Sequence, residues 1–98
     1  MEYLLKVHES SSGRVVALSD VHVLGKKFFE NDIILDVDAD FFGGKKVRAD
    51  EIISAVKDAS NANIVGNDVV SLLVKNGVIS PKGVKTVGGV KFAHIYKI

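Results

Sequence analysis

Apolar residues with helical spacing lie in the middle of this chain, and alternating apolar residues lie towards both ends. Over residues 49–59 and again over residues 67–76 the apolar side chains recur every three or four residues, which is typical of amphipathic helices. On either side apolar and polar residues alternate, which is typical of half-buried strands. The resulting order is β-β-(short α)-β-α-α-β-β. Because strands and helices are segregated, the sequence predicts an α+β fold, a two-layer sandwich with two helices on one face of a mainly antiparallel sheet.

Both ends of the chain predict a β-hairpin. Residues 3–9 alternate, residues 10–13 are turn formers, and residues 14–18 return as a second strand. Near the other end, Gly88 and Gly89 lie between two apolar runs, and such a glycine pair favours a tight hairpin turn.

The region between the first hairpin and the helices gives weaker signals. Residues 19–24 predict a short helical turn with Ser19 or Asp20 as its cap. Residues 26–30 fit either a strand or a loop. Residues 33–41 alternate between apolar and acidic side chains, which predicts a single strand with a solvated acidic side.

Two helices are predicted to lie as antiparallel neighbours over one face of the sheet. The first spans residues 49–59, and the second is capped by Asn67 or Asp68 and ends at Gly77. The residues between them are rich in Ser, Asn and Gly, which predicts a shaped connector rather than a regular element. The apolar stripes predicted to be buried contain Ile52, Ile53, Val56, Val70, Leu73 and Val74.

Length and composition predict one domain over residues 1–98 that is held together by packing. The chain has no Cys, so disulfides and thiolate chemistry are excluded, and an intracellular, cytoplasmic location is expected. No apolar run approaches the roughly 20 residues of a membrane span, so no membrane partner is expected.

A net charge of +1 conceals an uneven distribution of charge along the chain. Residues 28–44 contain five acids and no Lys or Arg, whereas residues 69–98 contain five lysines and no acid. A basic surface for RNA or a ribonucleoprotein is one interpretation. The other is that acidic and basic strands pair across the sheet. The candidate polyanion-binding residues are Lys45, Lys46, Lys85 and Lys91.

The connector provides the strongest candidate for a ligand site. Asn61 and Asn63 carry carboxamides, and the backbone amides after Gly66 open the second helix, where anions are favoured. The alternative is that each Asn caps or turns its own backbone. We expect Gly66 to need a conformation or a close approach that a Cβ would disturb, and the two Asn to differ in role. His8 and the amides of Gly43 and Gly44, a crude phosphate cradle, complete the candidate set.

Catalysis and metal binding find little support in the residue pattern. The three histidines lack the spacing of a known metal motif, and no Ser-His-Asp arrangement is indicated. We therefore expect no metal and no cofactor, and we favour a protein that is not an enzyme.

Five short motifs stand out along the chain. They are Lys6-Val7-His8-Glu9-Ser10, Val16-Ala17 with Leu24-Gly25-Lys26, Phe42-Gly43-Gly44, Ala59-Ser60-Asn61-Ala62-Asn63-Ile64-Val65-Gly66, and Val87-Gly88-Gly89-Val90. Together they resemble an archaeal family of conserved, uncharacterised proteins, catalogued as domain of unknown function four-two-four. The resemblance implies an archaeal cytosolic protein with a two-layer α/β fold, and it implies no activity. The chain departs from the family pattern at Lys91 and Phe92, where that pattern carries Pro and His.

Three functions remain open from the sequence. The leading hypothesis is a non-catalytic binding module for RNA or a ribonucleoprotein. The second is a small-molecule site or minor enzyme built on Asn61, Asn63, Gly66 and His8. The third is a protein-interaction adaptor, such as a homodimer joined through a sheet edge.

Overall fold

Eight strands and three helices form the fold in the computed structural model, which describes residues 1–97. The strands are β1 (Tyr3–Ser10), β2 (Gly13–Asp20), β3 (Lys27–Glu30), β4 (Ile33–Asp36), β5 (Lys45–Val47), β6 (Asn61–Val65), β7 (Lys85–Val87) and β8 (Val90–Tyr96). The helices are α1 (Ala39–Phe42), α2 (Ala49–Asp58) and α3 (Asn67–Lys75), and short 3-10 turns span Val21–Val23 and Pro81–Gly83. No helix within residues 1–97 is long and apolar enough to cross a membrane.

Six of the strands form one sheet in the order β5-β1-β2-β6-β8-β7. The pairing of β2 with β6 is parallel, and the other pairings in this sheet are antiparallel. Strands β3 and β4 form a separate antiparallel hairpin. The predicted α+β class with a mainly antiparallel sheet is confirmed.

The two faces of the six-stranded sheet carry different layers. Helices α2 and α3 pack on one face, which we call the helical face. The β3–β4 hairpin and α1 pack on the opposite face, which we call the hairpin face. The predicted two-layer sandwich is therefore not confirmed, because the sheet is covered on both sides.

Each face has its own apolar core. The core of the helical face is aliphatic and is dominated by Val16, Leu18, Ile52, Ile64 and Leu73, all fully buried. The core of the hairpin face is smaller and more aromatic, and it contains Ala17, Val23, Val37, Phe42, Val65 and Val90, with Phe28, Phe41 and Phe92 packed against it. Of the six predicted stripe residues, Ile52, Val56, Val70 and Leu73 are buried, and Ile53 and Val74 are half-buried.

The predicted connector between the helices is instead a central strand, β6. Ala62 and Ile64 alternate with Asn61 and Asn63, and this period of two directs the apolar pair to the helical core. Because the segment is rich in Ser, Asn and Gly, the sequence predicts a connector there and not a strand. Because β6 lies between α2 and α3 in the chain, the two helices are not consecutive, and the predicted order of elements is wrong at this point.

The acidic segment also differs from its prediction. The strand predicted over residues 33–41 ends at Asp36, and Ala39–Phe42 forms helix α1. The side chain of Asp38 accepts a hydrogen bond from the Phe41 amide at 3.1 Å, which caps that helix. An acid read as the solvated side of a strand is therefore a helix cap. Residues 27–30, left open between strand and loop, form β3, the partner of β4.

Asp20 caps a helix, but not the one predicted. Ser19 and Asp20 are the last residues of β2, and the Asp20 side chain makes no cap bond to the 3-10 turn that follows. Its carboxylate accepts hydrogen bonds from the amides of Asp68 and Val69 at 2.9 and 2.8 Å, in the first turn of α3. The predicted capping of α3 by Asn67 or Asp68 is wrong, because Asp20 of strand β2 caps this helix.

Three glycine predictions agree with the structure. Gly66 has φ +129°, and a Cβ there would lie 2.4 Å from Cγ of Asp20, so both the conformation and the close approach exclude a side chain. Gly77, with φ +69°, follows the last residues of α3. Gly88 and Gly89 both have positive φ and form the turn between β7 and β8.

Candidate functional site

Two rows of mainly polar side chains cross the hairpin face of the sheet. The strand register places Lys6, Ala17, Asn63 and His94 side by side on β1, β2, β6 and β8. The next row contains His8, Val15, Asn61 and Tyr96 on the same four strands. Each row is polar on three of its four strands, and we call them together the polar rows.

Asn61 and His94 are joined within the polar rows. The Oδ1 atom of Asn61 lies 2.6 Å from Nε2 of His94, so the imidazole donates to the carboxamide when Nε2 carries a proton. The two residues lie on adjacent strands and in neighbouring rows. This bond fixes the Asn61 side chain. The bond is to another strand, so the alternative in which each Asn caps or turns its own backbone does not describe Asn61.

Helix α1 covers one end of the polar rows. The His8 ring stacks on the Phe41 ring with centroids 4.6 Å apart, and His8 Nε2 lies 2.9 Å from the carbonyl oxygen of Phe41. Lys6 donates from Nζ to the carbonyl oxygen of Asp40 at 2.6 Å. Both β1 side chains thus help to hold α1 on the sheet, and the ligand role of His8 stays a prediction.

A cavity of about 260 Å³ opens between the covering elements and strands β6 and β8. We call it the Asn63 pocket. Its walls combine three Phe side chains with aliphatic ones, and its polar groups are a carboxylate, a carboxamide and an imidazole. The lining residues are Leu35, Asp36, Phe41, Phe42, Asn63, Ile64, Val65, Phe92, Ala93 and His94.

The Asn63 carboxamide is a half-buried polar group of this pocket for which residues 1–97 provide no hydrogen-bond partner. The side chain is half-buried, and within residues 1–97 it makes no hydrogen bond. Its neighbours in register are Ala17 and His94, and His94 is engaged by Asn61. A carboxamide offers two donors and an acceptor, so Asn63 presents both kinds of group to whatever enters the pocket.

The other predicted ligand residues do not converge on this pocket. Gly66 faces the helical side, against Asp20, and its amide donates to the carbonyl of Lys91. The amides of Gly43 and Gly44 donate to the carbonyls of Ala39 and Phe42, so neither is free to cradle a phosphate. Both glycines are instead required by close packing, because a Cβ on either would collide with backbone.

The four candidate polyanion-binding lysines are dispersed. Lys45 and Lys46 lie on β5 and Lys85 lies on β7, at opposite edges of the six-stranded sheet. Lys91 shares the helical face with Ala93 on β8. The structure therefore does not join these four residues into one basic patch.

The alternative of acidic and basic strands paired across the sheet is also not found. Within residues 1–97 the ion pairs are Glu9 with Arg14 and Lys45 with Glu51, and none joins the acidic segment to the lysine-rich third. Strand β4, which carries part of the acidic segment, belongs to a separate hairpin. Within residues 1–97, the lysines of the last third therefore form no ion pair with the carboxylates of the acidic segment.

A second cluster of titratable groups surrounds the Asp20 cap. Oxygen and nitrogen atoms of Asp20, His22 and Asp68 lie within 4.8 Å of one another. Both carboxylate oxygens of Asp20 already accept amide bonds, and the positive end of the α3 dipole points at this cluster, which opposes a cation. Burial raises the pKa of Asp20 above its ordinary value, and the amide bonds from Asp68 and Val69 lower it less. We interpret the cluster as a structural cap.

Sequence reasoning identified the two Asn but missed the residues that build a pocket around Asn63. The sequence predicts Phe41 as the last residue of a strand, and it does not place Phe42, Phe92 or His94 near the two Asn. The signal that could have found them is the alternation within β6. It places both Asn on the face shared by Phe92 and His94 once β6 is recognised as a strand.

Comparisons with known proteins agree with this fold and assign no activity. A family model described as "Protein of unknown function (DUF424)" matches residues 8–98. The crystal structure of an uncharacterized conserved protein from Methanopyrus kandleri superposes with a TM-score of 0.81 at 24% sequence identity, covering 100% of this chain and 93% of that one. That neighbour comes from an archaeon. The comparison with curated proteins gives no match.

Proposed function

This chain belongs to DUF424, a family of proteins of unknown function, and we propose that it is a non-catalytic binding module whose Asn63 pocket takes a planar ring of the nucleobase class. The observation that carries the proposal is the half-buried carboxamide of Asn63, which has no hydrogen-bond partner among residues 1–97 and lies in a cavity that three Phe side chains help to line. A buried polar group costs free energy until it is hydrogen-bonded, so a ligand that pairs with it gains specificity.

The shape of the pocket favours a single flat ring system. A volume of about 260 Å³ falls just below the roughly 300–1,000 Å³ typical of sites for drug-sized ligands. The Phe41, Phe42 and Phe92 rings offer faces and edges on which a heteroaromatic ring stacks. Asn63 then recognises the edge of that ring, since a carboxamide pairs with neighbouring donor and acceptor groups on a base.

The charge around the pocket favours a neutral or cationic ring over an anionic group. Asp36 contributes a carboxylate to the lining, and Asp38 and Asp40 follow it in the chain. The ammonium of Lys6, in the same row as Asn63, donates to the carbonyl of Asp40. A phosphate placed inside the pocket would therefore meet more negative charge than positive, whereas an uncharged base edge would not.

Binding rather than catalysis is supported by the way the histidines are used. His8 is stacked on Phe41, and His94 is bonded to Asn61. Neither imidazole is paired with a nucleophile among residues 1–97. The arrangement resembles a recognition surface held rigid by side-chain bonds, which is what a binding site requires.

A base can reach this pocket as a free nucleoside or as an unstacked base of single-stranded RNA. RNA proteins recognise such bases by stacking and by hydrogen bonds to their edges. The predicted RNA or ribonucleoprotein partner stays a prediction on this basis. A homodimer through a sheet edge is less favoured, because β5 and β7 are three residues long and carry lysines, features that discourage edge pairing.

Titration of the ¹⁵N-labelled chain with nucleosides, their monophosphates and a short single-stranded RNA tests the proposal. We expect nucleosides to shift the amides of β6, β8 and α1, and monophosphates to bind no more tightly. Tighter, salt-sensitive binding of the RNA at the same amides would identify RNA as the source of the base, since phosphate contacts release counterions. The absence of shifts around Asn63 with every probe would refute the proposal.

A further inference from the structure

A second cavity lies on the helical face, between α3 and the segment that leads into β7. Its volume is about 320 Å³, and we call it the valine groove. Valines from α3 and from the segment before β7 form its apolar surface, and two lysines contribute its charges. The lining residues are Val70, Ser71, Val74, Lys75, Pro81, Val84 and Lys91.

Every residue that lines the valine groove comes from the acid-free third of the chain. Residues 69–98 contain no Asp or Glu, so no carboxylate lies among the lining residues. Lys75 and Lys91 take part in neither of the ion pairs within residues 1–97. The groove therefore combines an apolar floor with two positive charges that no carboxylate of residues 1–97 pairs with.

We infer that the valine groove binds a segment of a partner protein in which apolar side chains lie beside acidic ones. The apolar side chains of that segment cover Val74 and Val84, which are half-buried in the free chain. Its carboxylates face Lys75 and Lys91, because complementary charges at the rim set the orientation and the choice of partner.

The chemistry of the groove argues against nucleic acid as its occupant. No aromatic side chain lines it, whereas single-stranded nucleic acid is held by stacking of bases on aromatic rings. Two lysines also form a small electrostatic footprint for a polyanion. The groove is therefore distinct in chemistry from the Asn63 pocket, which lies on the other face of the sheet and is lined in part by three Phe side chains.

The inference is tested by titrating the full ¹⁵N-labelled chain with a short amidated peptide that carries two leucines between glutamates. A matched peptide has lysines in place of the glutamates. We expect the acidic peptide to shift the amides of α3, of residues 81–84 and of β8, and the lysine peptide to leave them unchanged.

Reversal of the two lysine charges at the rim of the valine groove should have the largest effect on peptide binding. The double variant Lys75→Glu, Lys91→Glu should bind the acidic peptide about tenfold less tightly or worse and should gain affinity for the lysine peptide. Lys82→Glu is the matched control, because Lys82 lies in the same basic third and is exposed but does not line the groove. It should bind both peptides like the parent chain.

Three outcomes would overturn the inference. The first is an acidic peptide that does not bind the parent chain at these amides. The second is a double variant that binds it as tightly as Lys82→Glu does. The third is preferential binding at the groove of decanoate or of a single-stranded RNA, which would assign it to a lipid or to nucleic acid. An unchanged spectrum of the double variant away from the groove shows that it is folded.

Discussion

On the helical face of the sheet, the central strands contribute aliphatic side chains along most of their length, whereas on the hairpin face they become polar towards one end. The contrast is visible within β6 alone, where Ala62 and Ile64 enter the helical core while Asn61 and Asn63 lie in the polar rows. Stability requires apolar burial, and nothing in the packing of the hairpin face requires a carboxamide at Asn63. The comparison teaches that a strand can serve the core with one face and a binding site with the other.

The largest expected effect comes from the helical face. Replacing Leu73 with Ala should lower the free energy of unfolding by about 2–5 kcal/mol, because the side chain is fully buried and its removal leaves a cavity. The preceding residue, Leu72, is half-buried, so Leu72→Ala should cost less. Urea unfolding of both variants measures the difference. A loss below about 1 kcal/mol for Leu73→Ala would contradict the assigned core.

Gly66→Ala tests the junction between β6 and α3. The added Cβ would lie 2.4 Å from Cγ of Asp20, and φ is +129°, so the variant has both a clash and backbone strain. Gly77→Ala is the matched control, because Gly77 also has positive φ but a Cβ there meets nothing within 4 Å. Its loss should be about 1–2 kcal/mol from strain alone.

Gly66→Ala should exceed that loss, and the excess should shrink when Asp20 is also replaced by Ala, since the Asp20 side chain is then absent. Equal losses for the two glycine variants would mean that the close approach to Asp20 has no energetic consequence. Thermal or urea unfolding of the three variants decides between these results.

Much of this architecture follows from the sequence, and the exceptions share a physical cause. Alternation and turn-forming residues predicted the hairpins at the two ends of the chain, and the apolar stripes predicted α2 and α3, whereas the β3–β4 hairpin was not predicted. The prediction failed at β6 because the strand is only five residues long, so its two Asn residues resemble the polar residues of a loop. It failed at Asp20 because a cap supplied by a distant strand leaves no local spacing to recognise.

The sequence predicted only part of the candidate site, and the rest was missed because it depends on tertiary structure. The two Asn were identified by composition, but their neighbours Phe41 and His94 come from α1 and β8 and are brought to them only by tertiary structure. The glycines proposed beside them serve packing instead. No feature of the neighbouring sequence distinguishes a glycine that binds a ligand through its amide from a glycine that packs against another strand.

A smaller effect is expected from the pH dependence of the Asp20 cap. Burial raises the pKa of Asp20 in the folded state above its ordinary 3.8. The folded chain therefore binds a proton on Asp20 more tightly than the unfolded chain does. The stabilisation linked to this proton is complete below pH 3.8 and is lost as the pH rises through the folded pKa. The stability of the parent relative to Asp20→Asn should therefore increase on acidification from neutral pH.

Measuring unfolding of the parent and Asp20→Asn across that range isolates Asp20, because the other groups titrate in both proteins. At neutral pH the variant should lose less than the ~1 kcal/mol of a fully lost helix cap, because the Asn side-chain oxygen still accepts a bond from an amide of α3. A parent whose advantage shrinks on acidification would show that the helix amides favour the charged carboxylate more than burial opposes it.

The smallest effect on stability is expected at Ser19. Its hydroxyl is fully buried on β2 and has no hydrogen-bond partner among residues 1–97. Removing an unsatisfied buried group relieves its desolvation cost, which offsets the small loss of packing. Ser19→Ala should thus be neutral or slightly stabilising in urea unfolding. A loss above about 1 kcal/mol would reveal a partner that the hydroxyl depends on.

The most direct test of the account is the separation of stability from binding at Asn63. Asn63→Leu keeps the approximate size of the side chain and removes its donors and acceptor, and Asn61→Leu is the matched control that breaks the bond to His94. Unfolding and nucleoside titration are measured on both variants. We predict that Asn63→Leu is as stable as the parent or more so and no longer binds nucleosides, whereas Asn61→Leu loses stability and keeps weakened binding. If Asn63→Leu is destabilised by more than about 1 kcal/mol and the parent binds no nucleoside, the polar rows are scaffolding and the account is contradicted.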